Sequence, residues 1–341
     1  QVKKTFERVC GMASDYNLFL ISGDVFDSND VSERTVGWLA SILKGINIPV
    51  CICPGTHDCF DHKSVYRRAG VVWPKNVHIF GVNEDAVFSI PELDLTVRAK
   101  PNTSNRSSES PLKDIKKSGA TRWEVAMAHG SIVIPGKIDN TDFPIRREEI
   151  EATGLDYIAL GHWHSWGDYS TGKVAAFYSG SPECMDFGAS RGAVASVTLN
   201  ETGAQVSKCE VGARRMEKMN LSVAGVHDVE DISREITGKA DPELALQVTL
   251  EGMSEVGFEP DLAALQADLS SSFFYLRMED RSHPSIEDIS EDQFPETLVI
   301  GRYVRVMAKR IEQARGDDEA VSVLEDALRL GVALLQGRQA L

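Results

Sequence analysis

Four short clusters of Gly, Asp and His, each closing an apolar run, constrain this chain more than any other feature. They are Gly23-Asp24-Val25-Phe26-Asp27, Gly55-Thr56-His57-Asp58, His129-Gly130 and Gly161-His162-Trp163-His164. The runs before them (residues 18–21, 48–53, 125–128 and 157–160) have the length and apolar content of strands buried in a sheet. Between the first two runs, Val36, Leu39, Leu43 and Ile46 recur at helical spacing, so strand, helix and strand form a βαβ-like unit. In α/β folds ligands collect beyond the carboxyl ends of strands, where all these clusters lie.

The residue types point to a dinuclear metal centre. A carboxylate such as Asp24 can bridge two divalent ions, and imidazoles from His129, His162 and His164 can complete their shells. That donor set suits manganese, iron or zinc better than calcium. Two such ions clamp a phosphate ester from both sides and bring the pKa of water towards neutrality. His57, on the turn after its strand, is a candidate non-ligand group that neutralises charge or protonates the departing oxygen; Asp58 would orient that turn. His162 and His164, two apart in an extended segment, share one face.

Charge narrows the partners. With 36 Lys and Arg against 51 Asp and Glu the formal net charge is −15, which excludes nucleic-acid binding by bulk attraction. Contact with DNA would then need a local patch, a metal site or a partner. No apolar run reaches the ~20 residues that span a bilayer, and no signal-peptide core follows the start. The six cysteines, at 10, 51, 53, 59, 184 and 209, lack paired C-x-x-C spacing and read as reduced, mostly buried thiols of a cytoplasmic protein.

Further strands are expected at residues 77–80, 95–97 and 174–178, and a hairpin over 192–211 around Asn200-Glu201-Thr202-Gly203. Residues 101–119, rich in Ser, Asn, Lys and Pro, read as an exposed loop. The pattern changes near Arg214-Arg215. A helix over 229–236, a strand alternating Leu244, Leu246, Val248 and Leu250 with Ala245, Gln247, Thr249 and Glu251, a helix over 262–269 and a last strand read as a small α+β domain. Two helical stripes end the chain, Val304/Met307/Ile311 and Val321/Leu324/Leu328/Leu335, with Gly316-Asp317-Asp318 as turn and N-cap. The expected domains are 1–214, 215–296 and a helical tail, 297–341.

The ordered motifs G-D-x-x-D, G-[NT]-H-D, H-G and G-H-x-H resemble those of the calcineurin-like metallophosphoesterases. The resemblance covers residues 1–215. Ala159 to His164, followed by Tyr178-Ser179-Gly180-Ser181-Pro182 and Asp186-Phe187-Gly188, is similar to SbcD-type nuclease subunits of DNA-repair complexes. It implies a two-sheet αββα sandwich, of class α/β (α+β), with a small α+β capping domain and the helical tail. Asp24 would bridge the metals, His129 and His162 would bind one ion and His164 the other, and His57, with Asp58 and Asp27 of the same motifs, would be catalytic. Thr56 stands where the family usually has a ligand Asn, so its ion is expected to bind more weakly. The family's first motif, Asp-x-His, has no counterpart here. The helical pattern Val2/Phe6/Val9/Ala13 also begins abruptly after Gln1, so an upstream segment carrying the motif is expected.

The resemblance further implies manganese-dependent cleavage of DNA phosphodiesters, exonucleolytic on duplex ends and endonucleolytic on single strands. Iron, zinc or magnesium are alternatives to manganese. A nucleoid-associated setting, an SbcC-type coiled-coil ATPase partner docking on the tail, and a homodimer paired through the phosphoesterase domain complete the expectation. Two other readings stay open: a small-molecule phosphodiesterase or phosphatase using the same centre, and a catalytically silent scaffold for DNA or the ATPase.

Overall fold

The computed structural model describes residues 1–82, 86–134, 136, 139–187, 191–254, 258, 260–284, 289 and 294–336. Gly188, the last residue of one of the motifs above, lies outside them. The chain divides into two compact units, Gln1–Arg214 and Arg215–Leu341.

In the first unit α1 (Val2–Met12) leads into β1 (Phe19–Ser22), α2 (Glu33–Lys44), β2 (Val50–Cys53) and β3 (Val77–Ile79). These strands form a parallel sheet in the order β1-β2-β3. The Ser32 hydroxyl caps α2 by accepting from the Thr35 amide, and Val36, Leu39 and Leu43 bury the expected stripe. A second sheet is built from β4 (Val87–Ile90), β5 (Leu95–Ala99), β6 (Trp123–His129), β9 (Tyr157–Gly161), β10 (Gly167–Asp168) and β11 (Ala175–Tyr178). Its order is β10-β11-β9-β6-β5-β4, with parallel pairing in the centre and antiparallel pairing at both edges. Two short strands, β7 (Ser131–Ile132) and β8 (Pro144–Ile145), pair beside it.

Strand alternation puts the second sheet's two faces into two cores. Val125 and Met127 of β6 pack with Cys51 and Cys53 of β2 between the sheets, whereas Ala126 and Ala128 pack outward with Ile150 of the helix α3 (Arg147–Thr153). The fold is therefore the expected α/β sandwich. The edge strand β4 was not legible in the sequence, because Val87 and Ser89 are exposed and only Ile90 is buried. Residues 101–119 are mostly exposed as expected, yet Asn102, Ser110 and Leu112 are buried. All six cysteines are free thiols and only Cys209 is partly exposed. β12 (Arg191–Asn200) and β13 (Gly203–Ser222) lie side by side across the Glu201-Thr202 turn.

In the second unit residues 215–222 of β13 pair in parallel with β14 (Asp241–Glu251). In turn β14 pairs in parallel with β16 (Phe273–Asp280), after the two-residue strand β15 (Met253–Ser254). The helices α4 (Val229–Thr237) and α5 (Leu262–Leu269) cover one face, where Leu244, Leu246, Val248 and Leu250 meet Ile232, Ile236 and Leu265. The other face of β14 is drier than the sequence alternation indicates. Ala245 is buried in register between Met216 and Tyr275, and Thr249 is buried between Asn220 and Glu279. The tail helices α6 (Val299–Gln313) and α7 (Asp318–Leu335) pack through Val304, Met307, Leu328 and Val332. Asp317 caps α7, and Leu335, at the end of the expected stripe, is exposed. Among the described residues no helix is long and apolar enough to cross a membrane.

Candidate metal centre

The first, second, third and fourth clusters lie at the ends of β1, β2, β6 and β9; parallel pairing aligns the first two ends in one sheet and the last two in the other, and the His129–Ser22 hydrogen bond links the sheets. The turn after β1 needs left-handed backbone: φ is +87° at Gly23 and +52° at Asp24, a region that only Gly and, less readily, Asp or Asn enter. Gly161 is required by close approach, since a Cβ there would overlap the Ser22 carbonyl oxygen.

Asp58 ties the first two turns together. Its fully buried carboxylate accepts hydrogen bonds from the amides of Gly55 (2.7 Å), Val25 (2.8 Å), Asp24 (3.2 Å) and Phe26 (3.4 Å), and from the Tyr66 hydroxyl (2.6 Å). Burial pushes this carboxyl up from its ordinary value, opposed by the Tyr66 and Gly55 hydrogen bonds.

Asp24 Oδ1 accepts from the His57 amide at 2.8 Å, and Oδ2 lies 3.1 Å from His129 Nε2. Burial alone would raise the Asp24 carboxyl, but hydrogen bonds and charge from His129 and His57 outweigh it and bring the group down to about 2. His129, 1% exposed, donates from Nδ1 to the Ser22 carbonyl at 2.8 Å. A carbonyl only accepts, so Nδ1 carries a proton and Nε2 faces Asp24. Burial disfavours the charged ring of His129, yet contact with Asp24 raises it overall. The Thr56 hydroxyl, buried, lies 3.2 Å from Asp24 Oδ2 and 3.4 Å from His129 Nε2.

His162 Nδ1 is 3.2 Å from His129 Nε2, while its Nε2 lies 3.1 Å from Asp142 Oδ2. Burial first, and then the neighbouring His129, lower its pKa. Its φ of +109° is far from the usual range for a residue with a side chain, and such conformations cost on the order of 1–3 kcal/mol. His57 is exposed and donates from Nδ1 to the Asp27 carbonyl at 3.1 Å, which leaves Nε2 free of that bond. Asp27 thus meets His57 through its backbone, with its side chain exposed.

Among the described residues, Asp24, His129 and His162 place one ligand atom each within 4.8 Å of one another. Ligand atoms ~2.1 Å from a common tetrahedral ion lie about 3.4 Å apart, close to the 3.1 and 3.2 Å found here. Carboxylate and imidazole donors whose other ring nitrogens are already engaged fit a divalent cation. His164 lies outside this group: it is exposed and contacts Asp186 at 3.3 Å. A cavity of about 630 Å³ adjoins the cluster, with Asp24, His129, His162 and His164 among its polar lining and Leu20, Leu95 and Val125 among its apolar walls.

Sequence reading did not single out Asp142 or Asn102. Asn102, 2% exposed, donates to the His129 carbonyl at 3.1 Å. Neither carries a local signal, since each lies in a polar loop and acts on a strand end distant in sequence.

A sandwich that gathers one carboxylate and two imidazoles at strand ends, beside a histidine held by the neighbouring turn, has the architecture of a metal-dependent phosphoesterase. Residues 1–166 match the family model of calcineurin-like phosphoesterases, so this part of the chain is similar to that family. Over 174 residues the chain is 24% identical to "Uncharacterized metallophosphoesterase YhaO" of Bacillus subtilis (strain 168), a match covering 49% of this chain and 41% of that protein. The chain thus spans about two fifths of the length of the curated relative it matches.

Proposed function

We propose that this protein is a DNA nuclease that uses two divalent ions, manganese foremost, and works with an SbcC-type ATPase. The observation that carries the hydrolytic part is the convergence of Asp24 Oδ2, His129 Nε2 and His162 Nδ1 beside His57. Ions held there supply positive charge to phosphoryl oxygens and acidify water.

The chain's own groups do the rest. His129 and His162 are presented with their far nitrogens already engaged, so both rings are oriented in advance. Asp24, Thr56 and His164 complete the proposed ligand set, His164 on the second ion. His57 keeps Nδ1–H on the Asp27 carbonyl, so its doubly protonated ring gives the Nε2 proton to the departing oxygen and returns to the Nδ1–H form. Asp58 holds the turns of Asp24 and His57 in one rigid body, which lowers the entropic cost of alignment.

The choice of DNA rests on the motif resemblance. With a net charge of −15, attraction for the phosphate backbone falls to the ions and the partner. Exposed Val299, Val306, Val323 and Leu334 on α6 and α7 support ATPase docking on the tail. Pairing of two copies through the phosphoesterase unit and a nucleoid-associated location belong to the same reading. A second reading, hydrolysis of a small phosphoester, is favoured by the cavity beside the cluster, whose ~630 Å³ lies in the range that accepts small ligands.

The test is cleavage of linear duplex DNA and of a chromogenic phosphodiester with manganese, by the wild type and His57→Ala. DNA degradation lost in His57→Ala, with metal content retained, supports the nuclease. Turnover of the small ester alone supports the second reading. Metal lost together with activity would make His57 a ligand and refute its assigned role.

A further inference from the structure

The Gly161-His162-Trp163-His164 motif leaves Trp163 without a role, and Trp163 leads to the back of the metal cluster. Its indole Nε1 donates to Ser131 Oγ at 3.0 Å, and Ser131 Oγ donates to Asp142 Oδ2. That same carboxylate oxygen accepts from His162 Nε2 at 3.1 Å. Ser131 is 1% exposed, and the Trp163 ring stacks on Tyr178 at 5.0 Å, whose hydroxyl donates to the Gly130 carbonyl. Asp142 therefore receives two hydrogen bonds on one oxygen, one from a buried relay and one from the proposed ligand.

The turn that delivers Asp142 is itself strained and pinned. Phe143, buried, has φ of +49°, a genuine outlier for a bulky residue. The Ser131 amide lies 3.2 Å from the carbonyls of both Asp142 and Phe143, and the Phe143 amide donates to Ser107 at 3.0 Å. A Cβ at Gly130 would overlap the Phe143 carbonyl oxygen, so glycine in His129-Gly130 admits this turn. Strain that the surroundings over-determine marks a site where position matters.

We infer that Asp142 is a positioning residue that fixes His162 as its Nε2–H tautomer, so that Nδ1 presents its lone pair to the metal site. The carboxylate only accepts, so it selects the ring form with the proton on Nε2. Ser131 and Trp163 hold the carboxylate in place, and His162 keeps its strained backbone because both sides of its ring are engaged. The inference rests on the metal-centre reading, and its first readout is independent of it.

The experiment uses the full chain with Asp142→Ala, Asp142→Asn and Ser131→Ala. Ring nitrogens of the metal-free protein are observed by long-range 1H–15N spectra at one pH, with His162→Gln assigning the signals. Manganese affinity is measured by calorimetry. Asp142→Ala is expected to mix the His162 tautomers and to weaken manganese binding about 10–100-fold. Asp142→Asn, whose amide oxygen still accepts, is expected to keep the Nε2–H form and most of the affinity. Ser131→Ala, which leaves the backbone pairing of the turn intact, is expected to weaken binding a few-fold. An unchanged His162 spectrum in Asp142→Ala overturns the inference, as does equal loss in the Asn and Ala variants. Failure of the wild type to bind manganese would sink the metal-centre reading while the tautomer spectra still decide the role of Asp142.

Discussion

Replacing Asp58 tests whether one buried carboxylate holds the site together. In Asp58→Ala the donors at 2.6, 2.7 and 2.8 Å, from Tyr66, Gly55 and Val25, lose their acceptor in a fully buried place. Each unsatisfied donor costs about 1–3 kcal/mol, so three could reach ~9 kcal/mol. Water entering the vacated space recovers part of that, and about 4 kcal/mol is the expected net loss. For a unit of this size 1 kcal/mol moves the melting midpoint by roughly 2–4 °C, giving a fall of about 8–16 °C. Asp58→Asn keeps one acceptor oxygen but sets an NH2 against neighbouring amides, for a loss of about 2 kcal/mol. All five tryptophans (38, 73, 123, 163 and 166) lie in the first unit, so tryptophan fluorescence during thermal unfolding isolates its transition. A midpoint for Asp58→Ala within about 2 °C of the wild type would refute the reasoning, because the loss would then be under about 1 kcal/mol.

Two further outcomes are expected. Glu124, whose side chain is fully buried, accepts from Arg98, from the Ser118 hydroxyl and from the amides of Ser118, Gly119 and Ala120. Burial would raise its carboxyl, but these donors bring it from 4.5 down to about 2. Its stabilisation is therefore complete above about pH 4.5 and lost as pH falls towards about 2; it amounts to roughly 2 kcal/mol after allowing for the exposed Ser118–Ala120 segment. Denaturant unfolding at pH 3 and pH 6 should show that loss in the wild type and a flatter response in Glu124→Gln; equal slopes would contradict it. Manganese at about one hundred times its dissociation constant should stabilise the first unit by ~2.7 kcal/mol, seen as a rise of roughly 5–10 °C that a chelator reverses. His129→Ala should abolish the rise; a rise that survives it would place the ion elsewhere.

Much of the site was legible because its residues sit at strand ends, where apolar runs stop and Gly, Asp and His begin. Asp24, Thr56, His57, Asp58, His129 and His162 were all found this way, and the structure brings them together. Local sequence could not show that Asp58 accepts from four amides and a tyrosine, since the spacing to Asp24, Val25 and Phe26 is over thirty residues. It could not show that Asp27 serves through its carbonyl or that His164 is exposed against Asp186. The edge strand β4 escaped because pairing, and not periodicity, makes it a strand.

By itself, then, the sequence determined the alternation of strands and helices, the α/β class and the inventory of donors beyond the strand ends, because hydrophobic periodicity and turn chemistry are properties of neighbouring residues. Only the tertiary structure decided which nitrogen of each histidine is engaged by an acceptor and which faces the site. Ser22, Asp27 and Asp142 make those choices, through contacts reaching 107 residues along the chain for His129, 30 for His57 and 20 for His162. Hydrogen-bond direction is fixed by the partner in space, and a linear pattern of residues does not specify that partner.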